Sequence, residues 1–309
     1  MDIFFQQLIN GLTIGSLYAL VALGYTMVYG VMKLINFAHG DLVAFSAYVG
    51  LTIFTQFYGS NALSLVNIVI VFCLTAIVVA FVGVLLERLA YRPLRTAPRL
   101  SAVVSALGAS LVIQNGIMLI WGPNMEIFPS DVFPSTSWDF GGVIISFTQI
   151  IILALSAVVM VSLYIFINKT KMGTAIRATA IDQDAAKLMG INVNRIIMTI
   201  FIIGSMLGAI GGLFIGIYYR GLTFDMGWLY GLNAFIAAII GGIGSIPGAM
   251  LGGLLLGLFN AMISGYISTT WAETFTFILL IVILIVKPTG ILGEKTAEKV
   301  YWINLQLLP

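Results

Sequence analysis

Residues Ile144–Ile167 read IISFTQIIILALSAVVMVSLYIFI, inside a stretch that holds no charged residue between Asp139 and Lys169. A helix needs about 20 apolar residues to cross the hydrocarbon of a bilayer. The run is apolar on every side, whereas a transmembrane β-barrel strand alternates apolar and polar positions. It therefore reads as a membrane-spanning helix, since in hydrocarbon an isolated segment satisfies its backbone only by helix formation. Working outward, the same pattern recurs between Asp41 and Glu87, between Arg99 and Glu126, between Arg195 and Arg220, and from Met226 to Ala272. Of the 309 residues, 60% are hydrophobic and 8% are charged, against about 25% charged in an ordinary soluble domain.

These stretches predict an all-α polytopic membrane protein with about eight to ten transmembrane helices. The expected spans are residues 8–32, 40–58, 62–87, 100–121, 143–167, 196–219, 231–246, 249–268 and 274–287. Broken or re-entrant segments are expected near 33–41 and 241–249, where Pro247 and neighbouring glycines interrupt the pattern. The whole of 1–309 reads as a single transmembrane domain. No lysine or arginine precedes the first apolar run, so Leu8–Met32 reads as a retained span rather than a cleaved signal.

Orientation follows from the lysines and arginines, which gather on the cytoplasmic side. Arg88, Arg92, Arg95 and Arg99 follow the third span, and Lys169, Lys171, Arg177, Lys187 and Arg195 follow the fifth. Lys287, Lys295 and Lys299 follow the last. The loop 122–142 carries Glu126, Asp131 and Asp139 and no basic residue, so it is expected outside, and the loop 169–195 inside. Alternation then places the amino terminus outside. Basic residues confined to membrane edges argue against nucleic-acid binding.

Absences narrow the function. There is no Gly-x-x-x-x-Gly-Lys-Ser/Thr loop, no His-Glu-x-x-His and no Gly-x-Ser-x-Gly. One histidine and one cysteine exclude a His cluster, an internal disulfide and a multi-cysteine metal site. No cofactor or metal site is expected. Cys73, inside an apolar run, reads as buried and inert. Asp41, Glu87 and Glu273 fall near helix ends, so the spans are expected to lack the buried ionisable groups that mark proton relays and ion paths. A membrane protein that borrows its energy from other chains remains. A stand-alone facilitator or channel is the alternative.

Two kinds of local feature stand out. Gly204, Gly208, Gly212 and Gly216 form one row at four-residue spacing, and Ala249, Gly253, Gly257, Ala261 and Gly265 form another. Small residues four apart share a helix face and let backbones approach closely. In the loop 169–195, Asp182 suits an N-cap, Asp184 the first helical turn and Gly190 a left-handed C′ position. Ala185, Ala186, Leu188 and Met189 lie between them, and the short helix reads either as a connector or as a knob for a groove on a partner. Ala186 is expected to face the cytoplasm.

Six strings together carry a resemblance: Gly11-Leu-Thr-Ile-Gly-Ser-Leu-Tyr-Ala-Leu20, Gly24-Tyr-Thr-Met-Val-Tyr-Gly30, Ile35-Asn-Phe-Ala-His-Gly-Asp41, Glu87-Arg-Leu-Ala-Tyr-Arg-Pro-Leu-Arg95, Gly241-Gly-Ile-Gly-Ser-Ile-Pro-Gly-Ala249 and Lys287-Pro-Thr-Gly-Ile-Leu-Gly293. In this order the chain resembles the LivH-type permease subunit of bacterial branched-chain amino acid ABC importers, from about residue 8 to residue 293. The resemblance implies a permease subunit in the bacterial inner membrane that forms a path by alternating access. It implies a second related permease as heterodimer partner, two cytoplasmic ABC ATPase subunits and an extracytoplasmic amino-acid-binding protein. It places Asp182–Gly190 at the family's coupling helix, toward the ATPases. Permeases for urea and short amides share the Asn-x-Ala-His-Gly and Gly-Gly-x-Gly strings and are the alternative cargo class.

Asn36, His39, Gln114, Asn115, Asn233 and Asn260 are the candidates for the path or gate, with Thr13 and Ser16 beside them. Hydrogen bonding between helices is the plainer reading of each. At the break between the first two spans, Asn36 and Asp41 are expected to serve as capping and first-turn residues, and His39 to hydrogen-bond exposed backbone.

Overall fold

The computed structural model describes residues 2–58, 65–95, 97–130 and 132–293. Asp131, Lys295, Lys299 and residues 62–64 of the third expected span lie outside the described residues. The chain is a bundle of eleven α-helices among these residues: α1 Asp2–Met32, α2 His39–Tyr58, α3 Leu65–Leu86, α4 Arg99–Trp121, α5 Phe147–Lys169, α6 Lys171–Ile181, α7 Gln183–Leu188, α8 Val193–Tyr219, α9 Met226–Gly241, α10 Ile246–Tyr266 and α11 Thr269–Val286. Seven helices are long and apolar enough to cross a membrane, α1, α3, α4, α5, α8, α10 and α11. With α2 and the shorter apolar α9 they occupy the spans expected from charge spacing. α9 has 16 residues, about 24 Å of helix, short of a hydrocarbon core of about 30 Å. The chain is an all-α multi-pass membrane protein.

Both expected breaks are present. α1 stops at Met32 and α2 starts at His39, and α9 stops at Gly241 and α10 starts at Ile246. The second break runs through Gly242 and Gly244, whose φ of +107° and +97° suit glycine. Ser245 caps α10 through the Gly248 N–H, and Pro247 sits in its first turn, where a missing N–H costs nothing. The segment after α11 straps this break: the Ile291 and Leu292 N–H groups donate to the Ile240 and Gly241 carbonyls at 2.9 and 2.8 Å.

α1 and α8 are mostly buried, whereas α4 and α11 present most of their apolar surface outward. Close packing explains the centre. The small-residue row of α10 lies on α1: a Cβ at Gly253 would sit 2.5 Å from the Ala19 backbone, and one at Gly257 would overlap Gly15. The row on α8 meets α1 and α2, with Gly204 against Gly24, Gly208 against His39 and Gly212 against Val43 and Ser46. In lipid, where apolar surface gains little by leaving the solvent, such close van der Waals contact is the main force between helices.

Cys73 lies exposed on the outer face of α3, contrary to the buried reading. A helix apolar on all sides carries no periodic signal of which face turns inward. The loop before α8 also holds one more helix than expected, α6, capped by Thr170 through the Gly173 N–H.

The bundle has two unlike ends. At one, the Gln6 side chain on α1 exchanges hydrogen bonds with the Ile144 backbone, and β1 (Glu126–Ile127) pairs antiparallel with β2 (Gly221–Leu222). At the other, the Gln183 amide donates to the Val31 carbonyl at the end of α1, beside the basic loop 169–195. Charge asymmetry predicts that this second end is cytoplasmic. In a Cys73→Ala background, Ser135→Cys should then react with an impermeant thiol reagent from outside, and Leu188→Cys only after the membrane is opened. Both positions are exposed, so equal labelling of both from outside would overturn this orientation.

Candidate functional site

The first group of polar residues lies at the break between α1 and α2. His39 begins α2 and is 1% exposed. Its ring lies edge-on to Tyr25, with centroids 4.8 Å apart, and fills the space left by Gly24 on α1 and Gly208 on α8. The ring faces the Val21 carbonyl, and its Nε2 is left without a hydrogen bond of ordinary geometry. Asn36 does not serve as an α2 cap: its Oδ1 accepts a hydrogen bond from the Tyr91 hydroxyl at 2.9 Å. Asp41 is buried, and its carboxylate accepts a hydrogen bond from the Ser110 hydroxyl of α4. Gly40, Gly227 and Gly231 bring the start of α2 directly against α9.

Two expectations are corrected here. Asp41 and Glu87 do stand at helix ends, yet both are buried. The Glu87 carboxylate is paired with Arg95, and the other arm of the Arg95 guanidinium donates to Asn194 Oδ1 at 2.6 Å. Burial pulls the Arg95 guanidinium below its ordinary range, and the Glu87 carboxylate pushes it back. Capping by the Asn36 side chain is the other: it reaches Tyr91 instead, whereas Asp41 does stand in the first turn of α2, with its carboxylate on Ser110 of α4. Sequence reasoning missed Tyr91, Arg95 and Ser110. The signal was available for the first two, because Glu87, Tyr91 and Arg95 recur at four-residue spacing, the mark of one helix face. A hydrogen bond between membrane helices contributes roughly 0.6 kcal/mol on average. These bonds therefore set positions more than they hold the bundle together.

The remaining path candidates are scattered. Thr13 and Ser16 donate to the Ile9 and Leu12 carbonyls of their own helix, at 2.9 and 2.8 Å. Asn115 is exposed on α4 and donates to the Leu111 carbonyl. Gln114 lines an open cavity of about 640 Å³ with Asp225, Trp228 and Tyr230 at the end of the bundle that carries β1 and β2. Asn233 is buried in α9, and Asn260 is half-buried in α10.

The second group is the loop between α5 and α8. The Asp182 carboxylate caps α7 by accepting from the Asp184 and Ala185 N–H groups at 2.8 and 3.0 Å. Gly190, with φ +82°, closes it in the left-handed conformation. Asp184 pairs with Lys187 at 2.8 Å on the exposed face, where such a pair adds little stability. Ala185 is exposed, and Leu188 and Met189 are 89% and 82% exposed. Ala186 is 4% exposed and turned into the bundle, which corrects the outward reading. A cavity of about 400 Å³ opens beside α7, lined by Lys187 and residues 190–194. Among the described residues no cluster of three or more His, Cys, Asp or Glu could hold a metal.

The chain is 42% identical to the high-affinity branched-chain amino acid transport system permease protein BraD of Pseudomonas aeruginosa, over 96% of this chain and 98% of that one. It is 42% identical to the LivH permease protein of Escherichia coli K12, again over 96% and 98% of the two chains. The probable LivH permease protein of Methanocaldococcus jannaschii is 30% identical over 94% of each. No solved structure matches. The model of the family described as branched-chain amino acid transport system / permease component matches residues 7–286, and the chain belongs to that family.

Proposed function

We propose that this chain is the membrane-spanning permease subunit of an ATP-driven importer for branched-chain amino acids, lying in the inner membrane with α7 toward the cytoplasm. Similarity along nearly the whole length to permeases named for this cargo carries the reading. The chain forms the path by alternating access. ATP is hydrolysed by two separate ATPase subunits that dock on α7 and the cavity beside it. A second, related permease covers part of the exposed apolar surface of the outer helices. An extracytoplasmic binding protein delivers the cargo and supplies most of the selectivity. The break at Asn36–Asp41 is the gate region, and Gln114, Asn233 and Asn260 border the path. The amides of Gln114, Asn233 and Asn260 are uncharged, which suits an apolar cargo, since tight binding there would slow release.

The cargo reading is tested by uptake of labelled leucine in the assembled complex with competing solutes. Isoleucine and valine should each compete fully at tenfold excess, and urea and acetamide should not. Competition by urea at the level of isoleucine would move the chain to the urea and short-amide branch.

A further inference from the structure

The segment from Glu87 to Arg95 joins two regions that the function keeps apart. α3 does not end in an ordinary turn: it widens into a π-helical turn over Glu87–Tyr91 and tightens into a 3₁₀ turn over Arg92–Leu94. A 3₁₀ turn is common at a helix end, but a π-helical turn is rare and recurs at functional sites. The segment rests on α8 at two points. Arg95 bonds Asn194, and the Tyr91 ring packs on Phe201 with centroids 5.2 Å apart. Residues 194 and 201 are two helical turns apart, so both points lie on one face of α8. On its other side the same segment holds the break between α1 and α2, through the Tyr91 hydroxyl on Asn36. The Ala90 carbonyl accepts from Ser105 on α4 at 2.8 Å, and α4 in turn reaches Asp41 through Ser110. Asn194 also lines the cavity beside α7.

We infer that residues Glu87–Arg95 form the linkage that carries movement of the α7 docking region to the Asn36–Asp41 break, with Arg95 and Tyr91 as its two positioning residues. The inference rests on the proposed function, because it assigns that function's coupling to named side chains. Arg95 suits the task as a fork. One arm is fixed on the buried Glu87 carboxylate and the other reaches Asn194, so the start of α8 cannot shift without moving the segment. A lysine keeps the charge beside Glu87 but loses the planar fork that fits both partners together. Tyr91 is buried with its ring on α8 and its hydroxyl on Asn36, so displacement of α8 is felt at the break.

The test is transport stoichiometry in the assembled importer reconstituted with its ATPase subunits and binding protein. Arg95→Lys, Asn194→Ala and Tyr91→Phe are compared with the unaltered chain at matched protein amount. Asn194 is exposed, and Tyr91→Phe keeps the buried ring, so neither change threatens insertion. Arg95→Lys and Tyr91→Phe should bind the ATPases and hydrolyse ATP within about twofold of the unaltered complex, and Asn194→Ala, whose side chain lines the docking cavity, is read only as cargo per ATP. Cargo imported per ATP should fall about tenfold or more. Arg95→Lys combined with Tyr91→Phe should lose no more than the worse single variant, because links in series fail together. Normal cargo per ATP in all three variants, or losses that multiply in the double variant, would overturn the linkage while leaving the importer reading in place. Leucine uptake by the unaltered complex that ignores ATP hydrolysis would remove both.

Discussion

Leu188→Glu should release the ATPase subunits and abolish uptake while the chain still inserts at its normal level. Leu188 is 89% exposed in the free chain, and substitutions at such positions usually change stability by about 0.5 kcal/mol or less. In a groove on a partner, however, an unpaired carboxylate costs on the order of 3 kcal/mol, about 150-fold in affinity. The measurement is copurification of the ATPases with the variant, alongside its abundance in the membrane. Ala186→Glu serves as the contrast. Its side chain would enter the bundle, where Ala186 is 4% exposed, so it should lower the amount of folded chain itself. Full ATPase recovery with Leu188→Glu would leave α7 as a plain connector.

Gly257→Leu should reduce membrane-inserted, folded protein about tenfold or more, and Gly108→Leu should leave it unchanged. Both glycines lie in apolar helices, and hydropathy treats them alike. Their surroundings differ. A Cβ at Gly257 would overlap the Gly15 backbone and approach the Gly11 carbonyl to 2.6 Å, whereas nothing lies within 4 Å of one at Gly108. Backbone cannot step aside as a side chain can, so the α1–α10 contact must open along its length. Quantifying the membrane fraction of both variants at equal transcript levels checks the claim. Equal abundance would show that the small-residue row is not the packing surface of α10.

The spans were legible because charge is intolerable in hydrocarbon and is therefore absent from them, as between Asp139 and Lys169. The helix ends were legible where local chemistry decides them: Asp182 accepts the first N–H groups of α7, and Gly190 takes the left-handed turn after it. What could not be read was orientation within a helix apolar on all sides. Cys73 turned outward and Ala186 inward, and neither has a local signal, because both depend on which helices arrive beside them. Long-range polar partners were hidden for the same reason. Asn36 looks like a cap and Asp41 like a first-turn residue in a linear reading, and nothing there points to their partners, Tyr91 and Ser110, which stand 55 and 69 residues away. The break at Asn36–Asp41 was found from its motif, and the segment that grips it was not, although Glu87, Tyr91 and Arg95 recur at four-residue spacing.

On the proposed function, this chain forms a path but does not drive it. Purified chain, paired with its second permease and placed in liposomes with the ATPases inside and the binding protein outside, measures this directly through labelled leucine. Accumulation above the external concentration should require both ATPase subunits and hydrolysable ATP, and a non-hydrolysable analogue should abolish it. Equilibration of leucine across liposomes that contain this chain alone, at the same rate with or without ATP, would contradict the account and establish a facilitator.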